Sequence, residues 1–267
     1  MMLFGYTIDR SAAKAGLVPM ELDGPFFHAG SKSGVLVLHG IGGTPANVRA
    51  TADRLAAEGH TVCAPLLPGH GKTVEDLAAS GERDWIFCAK SGLRALREAG
   101  CSRLYAVGLS LGGLISGLLA EEEDLAGCVM ICPPVRMKGY LRFAGAVSGL
   151  FPYVQYGDKK ADRALKDAYH SMLPGMATAK MRDLGRMGKR FSGEIGRIRC
   201  PLLAIEAGLD NKVDPDTFRI LREGVPGMEY RLFPDAAHGC TYGEKREEVA
   251  ACVADWIRAR EAEYGRT

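Results

Sequence analysis

The chain has 267 residues, 47% of them hydrophobic and 25% charged, with a formal net charge of +2. That length suits one α/β core with an insertion, large enough to bury a sizeable interior without disulfide staples. The near-balance of charge argues against nucleic acid or an anionic membrane as partner. Cys63, Cys88, Cys101, Cys128, Cys132, Cys200, Cys240 and Cys252 are scattered through the chain, several in apolar runs such as GCVMIC. They do not read as the disulfide framework of a small secreted domain, and Cys128 and Cys132 read as small buried hydrophobes. No apolar run approaches the roughly 18 residues that a membrane-spanning helix needs, so no stable membrane insertion is expected. The N-terminal MMLFGYTIDR is interrupted by Asp9 and Arg10 and does not read as a secretory signal. The expected location is the cytoplasm.

Taken in chain order, short apolar runs alternate with helical patterns. GVLVLHG (34–40) is a strand entering a glycine-rich turn, and PANVRATADRLAAEGH after it has apolar residues at helical spacing, with Gly59 as its stop. TVCAPL is the next strand, followed by the amphipathic WIFCAKSGLRALREAG. RLYAVGLS and LGGLISGLLAEEE make a third strand and helix, and AGCVMICPP a fourth strand halted by two prolines. PLLAIEAG (201–208) and EYRLFP (229–234) are two more strands, and EEVAACVADWIRAR closes the chain as a helix. Near-continuous apolar strands alternating with helices predict an α/β fold, a mostly parallel sheet covered by helices on both faces. Ligands of such sheets bind beyond the carboxyl ends of the strands.

Residues 135–195 break the alternation. No clear strand shows there, and a structureless loop of that length is improbable in a compact domain. The expectation is a small, largely helical cap insertion at 135–195 on a core made of 1–134 and 196–267.

The chemistry concentrates in Gly108-Leu109-Ser110-Leu111-Gly112. This G-x-S-x-G lies between an apolar strand and a helix, the context of a nucleophile elbow. Ser110 then stands at a helix start, where the Leu111 N–H has no intrahelical partner and can stabilise an oxyanion. A serine nucleophile needs a base, and the chain order for this elbow is Ser, acid, His. Only His170 and His238 follow Ser110. His170 lies in the insertion and reads as a surface residue; His238, after the last strand, is the expected base. The acid should follow PLLAIEAG, where Asp210, Asp214 and Asp216 lie in GLDNKVDPD. Asp210 is nearest the strand end, Asp214-Pro215 reads as a helix start, and Asp235 competes from the histidine's own loop. The second oxyanion donor is expected from His39-Gly40-Ile41-Gly42-Gly43, at the N–H of Ile41, with His39 as a brace. GHGKT at 69–73 does not complete a phosphate loop, because Pro65-Leu66-Leu67-Pro68 stands where its first glycine and free residues belong. No H-x-H or H-E-x-x-H occurs, so neither metal nor other cofactor is expected.

PFFHAGSKSGVLVLHGIGGTPANVR, APLLPGHG, the DW before the second helix, AVGLSLGG and the PD after Asp210 resemble the small bacterial carboxylesterases and their relatives, the bacterial monoacylglycerol lipases. The likeness runs from about Pro25 to Ile257, thinly through the insertion. It implies an α/β-hydrolase fold with Ser110 as nucleophile, Asp210 as acid, His238 as base, and the Ile41 and Leu111 N–H groups as oxyanion hole. It also implies a helical cap over an apolar acyl pocket. Two departures stand out: Ile41 occupies a position usually aromatic, and the cap is not recognisably close, so substrate choice does not carry over.

The expectation is therefore a serine carboxylic ester hydrolase acting on short- to medium-chain acyl esters through an acyl-enzyme, as a monomer or homodimer. Candidate pocket residues are Leu141, Phe143 and Phe151, with Tyr153 beside them; the same side chains also suit the interior of the cap. The alternatives are a monoacylglycerol lipase or acyltransferase on the same triad, and a non-catalytic ligand sensor that kept the fold.

Overall fold

The computed structural model describes residues 21–150, 152–156 and 168–264, together with the backbone of two short strands, β1 (Met2–Leu3) and β2 (Tyr6–Thr7). The core is a seven-stranded sheet. In chain order its strands are β3 (Phe26–His28), β4 (Ser33–Leu38), β5 (Thr61–Ala64), β6 (Arg103–Leu109) and β7 (Gly127–Ile131). The cap contributes β8 (Tyr153–Tyr156) and β9 (Gly175–Ala177) to a different sheet, and the core resumes with β10 (Leu202–Ala207) and β11 (Glu229–Phe233). The core order is β11-β10-β7-β6-β4-β5-β3, parallel throughout except for β3, which runs antiparallel to β5. Every residue of β4, β5 and β7 is buried. Strands buried on both faces cannot show the polar alternation of a half-exposed sheet, which is why they read as continuous apolar runs.

The helices are α1 (Arg49–Ala57), α2 (Val74–Ala79), α3 (Glu82–Glu98), α4 (Leu111–Glu122), α5 (Gly139–Ala146), α6 (Ala179–Glu194), α7 (Asp216–Gly224) and α8 (Arg246–Tyr264). Helices α1 and α8 pack on one another, and α3 packs on α4, which packs in turn on α6. Between these layers Trp85, Tyr105 and Phe191 are fully enclosed. The six strands and four helices expected outside the insertion are all present. The edge strand β3 and the short helix α2 were not anticipated: β3 has only three residues, and α2 is one and a half turns started by a Thr73–Asp76 capping box.

The expectation for the insertion is a largely helical segment. Besides α5 and α6 it holds the short strands β8 and β9, which join β1 and β2 in a four-stranded antiparallel sheet of order β1-β2-β8-β9. The division expected at 135 and 195 therefore leaves on the core side two N-terminal strands that hydrogen-bond to the cap. The cap is also tied to the core. Leu173 N–H donates to the Gly42 carbonyl at 2.7 Å, and Met172 forms an isolated bridge with Gly43. Among the described residues no helix is long and apolar enough to cross a membrane. All eight cysteines are free thiols.

Candidate active site

The site forms where β6, β10 and β11 end and β4 turns out of the sheet. Ser110 joins β6 to α4 with φ +54° and ψ −117°, a backbone that costs a side-chain-bearing residue about 1–3 kcal/mol. Its neighbours hold it there: the Ser110 N–H donates to the Ile131 carbonyl at 2.8 Å, and its own carbonyl accepts from Leu114 at 2.9 Å. A Cβ on Gly108 would overlap the Gly112 backbone, and one on Gly112 would overlap the Leu38 carbonyl. Only glycine lets the elbow close this tightly against the end of β4.

Asp210 lies in the tight turn after β10, its N–H donating to the Ala207 carbonyl at 3.1 Å. His238 hangs from the loop after β11. His238 Nδ1 is 2.7 Å from Asp210 Oδ2, and Nε2 is 3.0 Å from Ser110 Oγ. An ionised carboxylate can only accept, so Nδ1 carries the proton, and Nε2 presents a lone pair to the serine hydroxyl. Burial by itself would raise the Asp210 carboxyl. Hydrogen bonds from His238 and from the Lys212 and Val213 N–H groups, at 2.7 and 3.1 Å, outweigh that and hold it below the ordinary carboxylate value. The structure thus brings together the three residues singled out as nucleophile, acid and base.

Leu111, the other member of the elbow, is the first residue of α4 and is fully buried. Ile41 lies in a turn closed by the Gly43 N–H on the Gly40 carbonyl at 3.2 Å, with Gly42 at φ +72°. A Cβ built on Gly40 would sit 3.3 Å from Ser110 Cβ, so this turn runs alongside the nucleophile. His39 is fully buried beneath it: Nε2 accepts from the Leu67 N–H at 3.0 Å, leaving Nδ1 to donate to the Gly40 carbonyl at 2.9 Å. Burial first, and the neighbouring His70 second, push His39 well below the usual imidazole range, so it braces the turn uncharged.

The competing candidates lie elsewhere. Asp214 accepts from the Asp216 N–H at 3.0 Å at the start of α7 and faces Arg136. Asp235 pairs with Lys245 at 3.0 Å. His170, expected at the surface, is half-buried with its ring edge-on to Tyr242, 4.8 Å between centroids. Of the cap candidates, Leu141 and Tyr153 pack against the core, Phe143 on α5 is 54% exposed, and Phe151 lies outside the described residues. Sequence reasoning missed the Met172–Leu173 segment, pinned across the Gly40–Gly43 turn, with the Tyr242 hydroxyl 3.3 Å from Met172 Sδ. No local signal marks it, because its partners lie 70 or more residues away in the chain. It also missed the meeting of Cys132 with Cys240 beside Asp210.

Comparison with known proteins gives a consistent picture. The profile of the alpha/beta hydrolase family matches residues 35–252. A thermostable monoacylglycerol lipase of Bacillus sp. (strain H-257) is 30% identical over 210 residues, 78% of this chain and 82% of that protein. A carboxylesterase of Bacillus subtilis (strain 168) is 26% identical over 236 residues, 87% of this chain and 95% of the relative. The solved structure of a metagenome-derived lipolytic enzyme superposes with a TM-score of 0.76 at 27% identity, covering 90% of this chain and 99% of its own.

Proposed function

The chain belongs to the alpha/beta hydrolase family, and from that premise we propose that it hydrolyses carboxylic esters with Ser110 as nucleophile, His238 as base and Asp210 as its orienting acid. It is a hydrolase of the carboxylic-ester class, as the lipase and esterase relatives indicate. The observation that carries the residue assignment is the unbroken hydrogen-bonded chain from Asp210 through His238 to Ser110, at 2.7 and 3.0 Å, beside the glycine turn.

In the first step the Ser110 hydroxyl gives its proton to His238 Nε2 as its oxygen attacks the ester carbonyl carbon. The charge that gathers on the carbonyl oxygen is met by the N–H groups of Ile41 and Leu111, each such donor being worth about 3–4 kcal/mol in comparable sites. Asp210 keeps the imidazolium oriented and offsets its charge. His238 returns the proton to the departing alcohol, leaving an acyl-enzyme. A water molecule, deprotonated by the same nitrogen, then releases the acid. No cofactor enters this sequence.

For substrate we propose short- to medium-chain acyl esters. What supports this is the apolar Ile41, 8% exposed in the turn beside Ser110, with the cap's Met172 and Leu173 laid across that turn. The relation to a monoacylglycerol lipase supports a second reading, in which the alcohol is glycerol. Hydrolysis of p-nitrophenyl esters from acetate to palmitate, with 1-monoacylglycerols in parallel, separates them. Turnover peaking at one chain length and abolished in Ser110→Ala is the expected result. A Ser110→Ala enzyme that retains the wild-type rate would sink the mechanism.

A further inference from the structure

We propose that Cys132, Asp210 and His238, with Cys240 alongside, form a binding site for one thiophilic divalent cation such as Zn²⁺ or Cd²⁺, and that filling it stops ester hydrolysis; the inhibitory half rests on the triad proposed above. One donor atom from each of Cys132, Asp210 and His238 lies within 4.8 Å of the other two. The Cys240 sulfur is 4.0 Å from that of Cys132. Two thiolates on one tetrahedral zinc, each about 2.3 Å from the metal, stand about 3.8 Å apart. The two sulfurs are thus already at the spacing of thiolates sharing an ion, and far from the roughly 2.0 Å of a disulfide. Thiolate, imidazole and carboxylate together suit zinc and cadmium and disfavour hard, oxygen-seeking cations such as Mg²⁺.

The fold explains why the donors meet although no metal-binding spacing exists in the sequence. Cys132 directly follows β7 at φ +46°, its N–H held by the Ile205 carbonyl at 2.9 Å. That unusual backbone is fixed beside the end of β10, from which Asp210 springs. Cys240 follows His238 by two residues, so the loop that delivers the base delivers the second thiol as well. Both cysteines are buried, with 0% and 2% of their surface exposed, whereas the His238 side chain keeps 19% and gives the cluster its opening to solvent.

The chemistry of occupancy follows from the tautomer. The cation displaces the Cys132 thiol proton to solvent and takes the sulfur lone pair; a bound cation deprotonates a thiol outright even where burial disfavours the bare thiolate. The imidazole nitrogen facing the carboxylate is Nδ1. When the cation takes its lone pair, the ring proton moves to Nε2. The nitrogen that faces Ser110 then holds a proton and cannot accept another. Inhibition needs no change of fold.

The test is a Cd²⁺ titration of the whole protein in thiol-free buffer. Two signals are read together: the ultraviolet thiolate-to-cadmium charge-transfer absorbance, and hydrolysis of a p-nitrophenyl ester. In wild type the absorbance is expected to saturate at one site's worth above the background of the other cysteines. The rate should fall at least tenfold over the same concentrations and return on adding EDTA, while Mg²⁺ does neither. Cys132→Ser, compared with its own metal-free rate, is expected to lose that absorbance component and need at least tenfold more Cd²⁺ for half-inhibition. Inhibition whose midpoint is the same in Cys132→Ser, or inhibition with no thiolate absorbance, overturns the site. If Cys132→Ser does not fold, Cys240→Ser decides, with a midpoint raised at least threefold expected and an unmoved one overturning the shared-ion geometry. A wild type without ester turnover before metal is added sinks the esterase reading alone, and the absorbance still decides whether the cation binds.

Discussion

Asp210 illustrates how much one carboxylate is asked to do. Oδ1 is occupied by the Lys212 and Val213 N–H groups, which leaves Oδ2 for His238. In Asp210→Asn the two backbone donors would keep the amide oxygen on their side and turn the NH₂ towards Nδ1. Nδ1 would then have to accept, the ring proton would pass to Nε2, and the base would face Ser110 already protonated. The expected outcome is a fall in kcat of roughly 10³–10⁴-fold with near-normal folding, checked by steady-state kinetics beside a thermal melt. A loss of less than tenfold would mean that His238 takes its orientation from elsewhere. At this scale the sequence was legible, because chain order and a position just past a strand end select Asp210 over Asp214, which is needed to start α7, and over Asp235, which is exposed and paired with Lys245. It was not legible for Cys132, whose role depends on a sulfur 108 positions away.

Among the elements, the core strands were readable and the cap was not, for one physical reason. Apart from Arg103 at the start of β6, strands β4 to β7 are buried on both faces and so are largely apolar, a signal that needs no knowledge of partners. Strands β8 and β9 have four and three residues and exist by pairing with each other and with the distant N-terminus. Too few residues carry a period for such strands to stand out. Helix packing conceals a further feature. Glu121, near the end of α4, is 7% exposed with Oε1 buried and unpartnered, where α4 meets α6 and the turn Ile195–Arg197. Burial, reinforced by the nearby Glu194, pushes its carboxyl up to about 8 from an ordinary 4.5. An acid raised in the folded state carries no penalty below its unfolded value and the full penalty above its folded one. Glu121→Gln is therefore expected to leave the melting temperature unchanged at pH 4 and raise it at pH 8, by about 2–4 °C for each kcal/mol relieved. Equal melting temperatures at pH 8 would show that Glu121 is already compensated.

For the molecule as a whole, this acid and the buried histidines pull stability in opposite directions along the pH axis. His39 and His70 lie edge-on with centroids 4.9 Å apart, and His70 in turn meets Trp85 at 5.9 Å, forming a ring cluster beneath the Gly40–Gly43 turn. Burial drives His70 down to about 4 and His39 well below its ordinary 6.5. Burial also lowers His60. A base depressed in the folded state binds fewer protons than its unfolded counterpart, so its contribution is complete above 6.5 and is lost as pH falls towards 4. Each such group adds a slope of up to about 1.4 kcal/mol per pH unit in that window. Two or three histidines outweigh the opposing slope of Glu121 below pH 6.5, and above it Glu121 continues to titrate towards 8. The melting temperature of wild type should therefore peak near pH 6.5 (the ordinary histidine value), fall steeply on the acid side and gently towards pH 8. His70→Phe keeps a ring between His39 and Trp85 but removes one titrating group, so its acid limb should be shallower; Glu121→Gln should flatten the alkaline limb and steepen the acid limb between pH 4.5 and 6.5. Melts across pH 4 to 9 for the three proteins check this. An acid limb equally steep in His70→Phe would move the sensitivity to His39 and His60, because the lowered carboxylates Asp210 and Glu261 lose stability only below the ordinary range of 3.8 to 4.5. His70 would then be indifferent to acid, and its contact with His39 beneath the Gly40–Gly43 turn would not be what makes the fold sensitive to low pH.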